Sequence, residues 1–438
     1  MTGRTRRPGR ARLRPGLATG AALLGLLGVL GACDGLDDLL SVDKPVDVPA
    51  EALNDPTKAQ LLVNGAISDF ECALGSFIVM GGLVGEEFVD ATQTADRWPY
   101  DRREVQSGDA RYGTFGCAAL GTYVPLSTAR FTADQALGLL EGWTDEQMPV
   151  GINRTRLIAT SAAYGGYSYL LMGEMFCSAA VDQGPELAPA DLFNLAITRF
   201  NRAIDAATAA GGASADSIRY MALAGRARAK LDLGQYAAAA ADAALVPVGF
   251  VKGASASDAA DRRRNRVYAQ NNQTDGVTVG ARYRNLMVEG VPDPRVRVTD
   301  SGRNATDGNR LWQQGKYAGL GTPIPIATYD EAQLILAEAA LRGGSPANAV
   351  TIINALRARS STPAYTGATD AASVMALLIE ERRRELFLEG QHLYDAIRFN
   401  FTLDPATGTN FPKGGTYGTT KCLPLPNVER LNNPNLGG

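Results

Sequence analysis

From Thr128 to the high 340s the chain is dominated by alanine-rich helix arranged in pairs, and this texture constrains the fold more than any other feature. Small side chains let helix axes approach closely, and helical pairs of this kind bury a continuous core by stacking on one another. Ala196, Phe200 and Ala203 fall at i, i+4 and i+7, so one helix face alternates small and large groups where a second helix nests. The helix SIRYMALAGRARAKLDL is followed by Gly234, Tyr236 and Ala239, then by more alanine helix up to Pro247. A further pair reads YDEAQLILAEAALRGG and SPANAVTIINALRARS, with Gly343 and Gly344 at the turn and Ala349 at the close-packing position.

The spacing of Gly234, Tyr236 and Ala239 resembles a tetratricopeptide repeat, in which glycine permits the tight turn, tyrosine covers it and alanine admits the neighbouring helix. The repeats are degenerate and unevenly spaced. The expected fold is mainly α, with tetratricopeptide-like hairpins at about 153–247 and 329–399 forming a right-handed, solenoid-like body. Upstream, Asn54 is the expected N-cap ahead of Pro56, and Ala59, Leu62, Val63, Ala66 and Ile67 keep helical spacing to an expected end near Gly75. Gly81, Gly82 and Gly85 then break the pattern before a polar, aromatic loop, EEFVDATQTADRWPYDRREV. Between 250 and 325 the helical pattern dissolves into NRVYAQNNQTDG, ARYRNL and SGRNATDGNRLWQQGKY. A loop region of this length inside a compact protein is usually functional.

The N-terminus carries a different message. Arg4, Arg6, Arg7, Arg10, Arg12 and Arg14 precede the uncharged stretch LATGAALLGLLGVLGA without one acidic residue. Its sixteen residues fall short of the roughly 20 that a bilayer-spanning helix needs, which favours a cleaved export signal over residues 1–32. Leu30, Gly31, Ala32 and Cys33 resemble a lipobox, with a thiol able to accept diacylglycerol; an ordinary secretory signal, with Cys33 merely opening the mature chain, is the alternative. Residues 33–55, with Asp34, Asp37, Asp38, Asp43, Asp47, Pro45 and Pro49, read as a tether, and 56–438 as a single domain.

Losing the arginine leader moves the formal charge from -3 to about -9. An acidic body offers no field for nucleic acid or anionic lipid, so membrane attachment must come from acyl chains, and one chain alone holds only marginally. Cys72, Cys117, Cys177 and Cys422 are then even in number; sequence proximity favours Cys72 with Cys117 and Cys177 with Cys422, with buried free thiols as the alternative. No two cysteines have short ligand spacing and His392 is the one histidine, which argues against zinc; no cofactor is expected.

The segment LLIEERRRELFLEGQHLYDAIRF, residues 377–399, resembles the C-terminal signature helix of the SusD/RagB family. YDEAQLILAEAAL, VPDPRV with Asp293, Pro294 and Arg295, and CLPLPNVERLNNPNL resemble further blocks of that family, so the resemblance spans most of the mature chain. Asp330 and Glu331 stand where the family often has an arginine before its glutamate, and Ala396 and Ile397 where leucine and arginine are common, which puts local salt bridges in question. The resemblance implies a surface lipoprotein of the outer membrane that captures glycans or other polymeric nutrients and delivers them to a SusC-like TonB-dependent transporter. Asp34 directly after Cys33 leaves inner-membrane retention open, and Gly173–Pro189 is a candidate transporter contact.

Sugars are held by aromatic faces flanked by amides, carboxylates and guanidinium groups. The candidate ligand residues are Trp98, Tyr100 and Asp101 in the first loop and Asn309, Arg310, Trp312 and Tyr317 in the second, with Tyr283 and Arg284 weaker; each aromatic has the alternative of anchoring its loop against the helices. In the signature helix Glu380 is set to pair with Arg384 and Arg382 with Glu385, and Asp395 with Arg398, so a structural role is favoured over a catalytic one for Glu381, Glu385 and Glu389. Tyr394, Ile397 and Phe399 are expected to pack inward, and His392 to be packed rather than a general base. Asp300, Asn304 and Asp307 are oxygen donors but lack the EF-hand order of ligands, which argues against a metal. The rival readings are an exported glycoside hydrolase with a helical body and a protein-binding helical scaffold.

Overall fold

A computed structural model describes residues 53–436, so the expected export signal, Cys33 and all but the last residues of the expected tether lie outside the described residues. Fourteen α-helices are described. The first half holds α1 (Ala59–Val84), α2 (Trp98–Asp101), α3 (Ala110–Thr114), α4 (Tyr123–Gly142), α5 (Arg154–Met175), α6 (Pro189–Ala210), α7 (Ala213–Asp232) and α8 (Tyr236–Ala243). The second half holds α9 (Arg266–Tyr268), α10 (Tyr329–Arg342), α11 (Pro346–Arg359), α12 (Ala371–Glu385), α13 (His392–Arg398) and α14 (Asn427–Asn432). Ten short strands are β1 (Phe88–Asp90), β2 (Ala179–Ala180), β3 (Glu186–Leu187), β4 (Val251–Ala254), β5 (Val277–Val279), β6 (Met287–Val288), β7 (Val291–Pro292), β8 (Val298–Asn304), β9 (Arg310–Gln314) and β10 (Ile324–Thr328).

The helices pack as successive neighbours, α1 on α4, α4 on α5, α5 on α6, α6 on α7, α7 on α8, α8 on α10 and α10 on α11 and α12. This is the paired, mainly helical body expected from the alanine spacing. The small-and-large face of α6 works as its periodicity implies: Ala196, Phe200 and Ala203 are all fully buried. The Phe200 ring lies between Gly166 of α5 and Gly225 of α7, where an added Cβ would sit 2.7 Å and 2.4 Å from ring atoms. Ala349 is buried at the α10–α11 turn, where a second cluster including Leu334, Leu341, Ile353 and Leu378 forms the core of the last helical pairs.

The first helix departs from expectation at both ends. Asp55, not Asn54, is the cap, accepting from Thr57 N at 3.0 Å, while Asn54 accepts instead from Trp143 Nε1 at 2.9 Å. The helix also runs through Gly75, Gly81 and Gly82 to Val84. Packing overrides propensity here, because at Gly75 a Cβ would meet Arg266 Cβ at 2.8 Å, so the glycine serves close approach within a continuous helix. The segment Pro56–Val84 is long and apolar enough to cross a bilayer, yet 78% of its apolar window is buried in the protein core.

Cys72 is bonded to Cys117 and Cys177 to Cys422, the pairing that sequence proximity favours. The second bond sits where the Gly173–Pro189 insertion meets the C-terminal segment: Cys177 N donates to Leu423 O, and Leu423 N to Met175 O, both at 2.8 Å.

The signature helix is the largest departure in energetics. Its charges do not lie along an exposed face. Glu381, 1% exposed, takes Arg295 Nη1 at 2.6 Å on one oxygen and Arg357 Nε and Nη2 at 2.9 and 2.7 Å on the other. Arg382 does not pair with Glu385; it crosses to Asp395 at 2.8 Å, because α13 packs over this face of α12. Glu385 faces Arg295 at 3.4 Å, and Glu380 holds both Arg383 and Arg384. Arg398 joins Asp395, Glu338 and Asp232 at 2.9, 3.0 and 3.4 Å. Burial would raise Asp395, but Arg382 and Arg398 hold it below the usual carboxylate range. At the positions where the family pattern is broken, Asp330 pairs with Arg359 at 3.0 Å, and Glu331 lies buried 3.7 Å from Arg228.

Gly225→Ala is expected to force the Phe200 ring out of its slot and cost about 1–3 kcal/mol, read as a lower urea midpoint with an unchanged slope. An unchanged midpoint would contradict the assigned α6–α7 contact.

Candidate functional site

The two aromatic loops singled out in the sequence meet in one strand layer. β1 pairs antiparallel with β5, Phe88 opposite Val279 and Asp90 opposite Val277, and β8 pairs with β9, Val298 opposite Gln314. β9 is fastened to β5 through side chains. Thr278 Oγ1 donates to Arg310 O at 3.0 Å and accepts from Trp312 N at 2.8 Å, while Asn271 Nδ2 donates to Val277 O and Trp312 O at 2.8 and 3.0 Å. The loop after β1 leads directly into Trp98 at the start of α2.

An ion cluster locks this layer to a third loop. Asp90 is fully buried; Lys413 Nζ lies 2.9 Å from its Oδ1 and 2.9 Å from Oδ2 of Asp307. Arg97 Nε sits 2.7 Å from Asp90 Oδ2 as an ion pair, with its N–H not aligned for a hydrogen bond, and Arg97 Nη2 donates to Gly276 O at 2.9 Å. Thr306 Oγ1 donates to Ala91 O at 3.1 Å. The loops around 90–98, 304–310 and 411–417 are thereby held in one arrangement before any ligand arrives.

This arrangement sorts the candidate residues. Tyr100, Asp101, Tyr283 and Tyr317 are buried in the core and do not form a ligand surface. Tyr100 packs edge-on to Tyr112 and its hydroxyl accepts from Tyr112 N at 2.9 Å. Tyr283 stacks on Phe387 with centroids 4.9 Å apart and meets His392 edge-on, while Tyr317 donates to Leu388 O at 2.9 Å. These aromatics are the loop anchors that were their alternative reading, since their rings fill gaps between loops and helices.

Trp98, Asn309 and Trp312 are half-buried and Arg310 is exposed. Asn309 spends its amide on Asp307 at 2.7 Å. Trp312 carries the Arg284 guanidinium over its ring at 5.1 Å from the centroid, and on the neighbouring strand Asp300, which pairs with Trp312 in register, binds Arg310 Nε at 2.7 Å. Trp98 Nε1 is enclosed and lacks a hydrogen-bond partner among the described residues. The surface that remains is a half-exposed indole flanked by two guanidinium groups and a carboxylate, a donor and acceptor set suited to hydroxyl-rich ligands. Sequence reasoning missed Asp90 and Lys413, which are 323 residues apart and carry no local motif.

The carboxylates of the signature helix are occupied elsewhere. Both oxygens of Glu381 are held by arginines, and Glu389 is bound by Lys316 at 2.7 Å. Burial pushes Glu385 up to about 7, against the pull of Arg295. Among the described residues no group of three or more His, Cys, Asp or Glu side chains is arranged to hold a metal. Asp307 is taken by Lys413 and Asn309, and Asp300 by Arg310.

Solved structures share this architecture. A SusD-like carbohydrate binding protein from Bacteroides vulgatus superposes with a TM-score of 0.66 at 16% identity, covering 87% of this chain and 97% of that one. A SusD-like protein from Bacteroides fragilis gives 0.64 at 15% identity over 89% and 98% of the two chains, and a laminarin-binding SusD-like protein 0.62 at 16% over 87% and 98%. No curated protein matches the chain by sequence. The fold is that of the SusD-like proteins. Residues 303–429, from the β8–β9 hairpin through the signature helix to the closing segment, match the model of the SusD family.

Asp101 accepts from Asp90 N at 2.9 Å, and burial, reinforced by the Asp90 charge, pushes its carboxyl from 3.8 up to about 7. The folded form therefore binds a proton that the unfolded form releases between about pH 4 and 7. Stability from this group is complete below that window and is lost as pH rises through it. Asp101→Asn, neutral throughout, is expected to flatten that decline in urea unfolding series; an identical pH profile in the variant would refute the assignment.

Proposed function

We propose that the protein is a noncatalytic cell-surface lipoprotein that captures oligosaccharides on the β1–β5–β9–β8 loop face and delivers them to a SusC-like TonB-dependent transporter in the outer membrane. The observation that carries this reading is the half-exposed Trp312 with Arg284 over its ring and Arg310 and Asp300 beside it, on loops pinned by the Asp90–Lys413–Asp307 cluster. Stacking on the indole supplies apolar contact to a sugar ring, while the flanking groups bond its hydroxyls. The SusD-like fold supports it, as does the carbohydrate binding ascribed to a protein of that fold.

Noncatalysis rests on the commitment of the acidic groups. Asp300 faces a guanidinium and Asp90 and Asp307 face an ammonium, so among the described residues these three carboxylates of the face are each engaged by a cation and are not free to act as an acid and base pair across a glycosidic bond. Anchoring rests on the Arg-rich leader and the LGAC sequence ending at Cys33.

Trp312→Ala is expected to weaken binding of a matching oligosaccharide by about tenfold or more in calorimetric titration, with the fold intact by circular dichroism. Incubation with a polysaccharide panel should yield no new reducing ends; turnover abolished by a single Asp or Glu change would replace this reading with the hydrolase. Cys33→Ser is expected to move the protein out of the membrane fraction, and protease shaving of intact cells should degrade the wild type if it faces outward.

A further inference from the structure

A cavity of about 530 Å³ lies away from the loop face, between the first turns of α1, α5 and α7 and strand β4. Arg156 of α5 and Lys252 of β4 both line it. Neither side chain is engaged by a carboxylate or hydrogen-bond acceptor among the described residues, whereas Arg228, Arg295, Arg357, Arg382 and Arg398 each hold buried carboxylates. The acidic groups nearby are occupied: Glu71, whose charge acts on Lys252, accepts from Ser255 N and Oγ at 2.8 and 2.7 Å, and Asp216 pairs with Arg219 at 3.2 Å. Ser214 and Ser217 line the same space and their hydroxyls make no hydrogen bond among the described residues, while the buried Leu157 and Ile218 supply an apolar floor.

Two unpaired cations in an otherwise acidic chain attract an anion, and the hydroxyls and floor extend the site beyond what a bare ion would use. The volume falls within the range of small-molecule sites. We infer that this cavity is a second binding site, which takes the carboxylate or sulfate group of an acidic saccharide between Arg156 and Lys252. That the anion is carried on a sugar rests on the glycan reading above, whereas the preference for an anion follows from the two cations.

The test is calorimetric titration of the full-length protein with trigalacturonate, a sulfated trisaccharide and a neutral trisaccharide, in the wild type, in the double variant Arg156→Gln/Lys252→Gln and in Trp312→Ala. Neither cation has an ion-pair partner among the described residues, and Glu71 keeps both hydrogen bonds from Ser255 when Lys252 is replaced, so the melting temperature of the double variant should match the wild type. At least one acidic trisaccharide should bind more tightly than the neutral one and lose about tenfold or more in the double variant, while keeping its affinity in Trp312→Ala; which acidic arm binds identifies the anion. Equal affinity for acidic and neutral sugars, or acidic binding unchanged in the double variant, would overturn the second site. Loss of acidic binding in Trp312→Ala alone would overturn it too, while leaving the loop-face reading standing.

Discussion

The buried carboxylate of Glu381 is the constraint on which the C-terminal half of the protein depends. A charge with 1% exposure is tolerable only when both oxygens are satisfied, and the groups that satisfy it come from two separate places. Arg295 arrives from the loop after β7 and Arg357 from the end of α11. The signature helix α12 is therefore a clamp: it fixes the last helical hairpin and the start of the loop face together. Such a network adds little net stability compared with an apolar core, yet removing one partner strands a charge at a cost of about 3–5 kcal/mol. The ions thus specify one arrangement of loops on helices while the apolar core supplies most of the stability.

The same logic recurs at the loop face on a smaller scale. Lys413 bridges two enclosed carboxylates, Asp90 and Asp307, from different loops, and Arg97 closes the cluster against the backbone at Gly276. The tyrosines beneath fill space and the half-exposed tryptophan stays at the surface. A face held this way loses little conformational freedom on binding.

The helical hairpins were legible because their signals are local. Gly234 and Gly343 mark turns, Ala349 marks a close approach, and Ala196, Phe200 and Ala203 mark one face, each within a few residues of its partner in the pattern. The end of α1 was not legible, since Gly75, Gly81 and Gly82 read as breakers until the packing of Arg266 against the helix is known. The same limit applied to the aromatics: Tyr100 and Trp312 look alike as loop residues, and burial against Tyr112 or exposure beside Arg284 is a property of distant chain. Arg382 illustrates it for charge, with Glu385 three residues away in sequence and Asp395 chosen by the packing of α13.

By itself the sequence determined the mainly helical paired body, the SusD-like character of its C-terminal blocks and the acidic balance of the chain. The body and the charge follow from periodicity, spacing and composition, which act over a turn or two of helix or sum over the whole chain, and the SusD-like character from the resemblance of local residue blocks. Only the tertiary structure decided which aromatics face out, which carboxylates are spent on arginines, and that Arg156 and Lys252 line one open cavity with no ion-pair partner among the described residues. Those outcomes depend on pairs such as Asp90 and Lys413, brought within 2.9 Å by the path of the chain and unrelated in sequence. Burial and ion pairing belong to the packed arrangement, and no stretch of residues carries them alone.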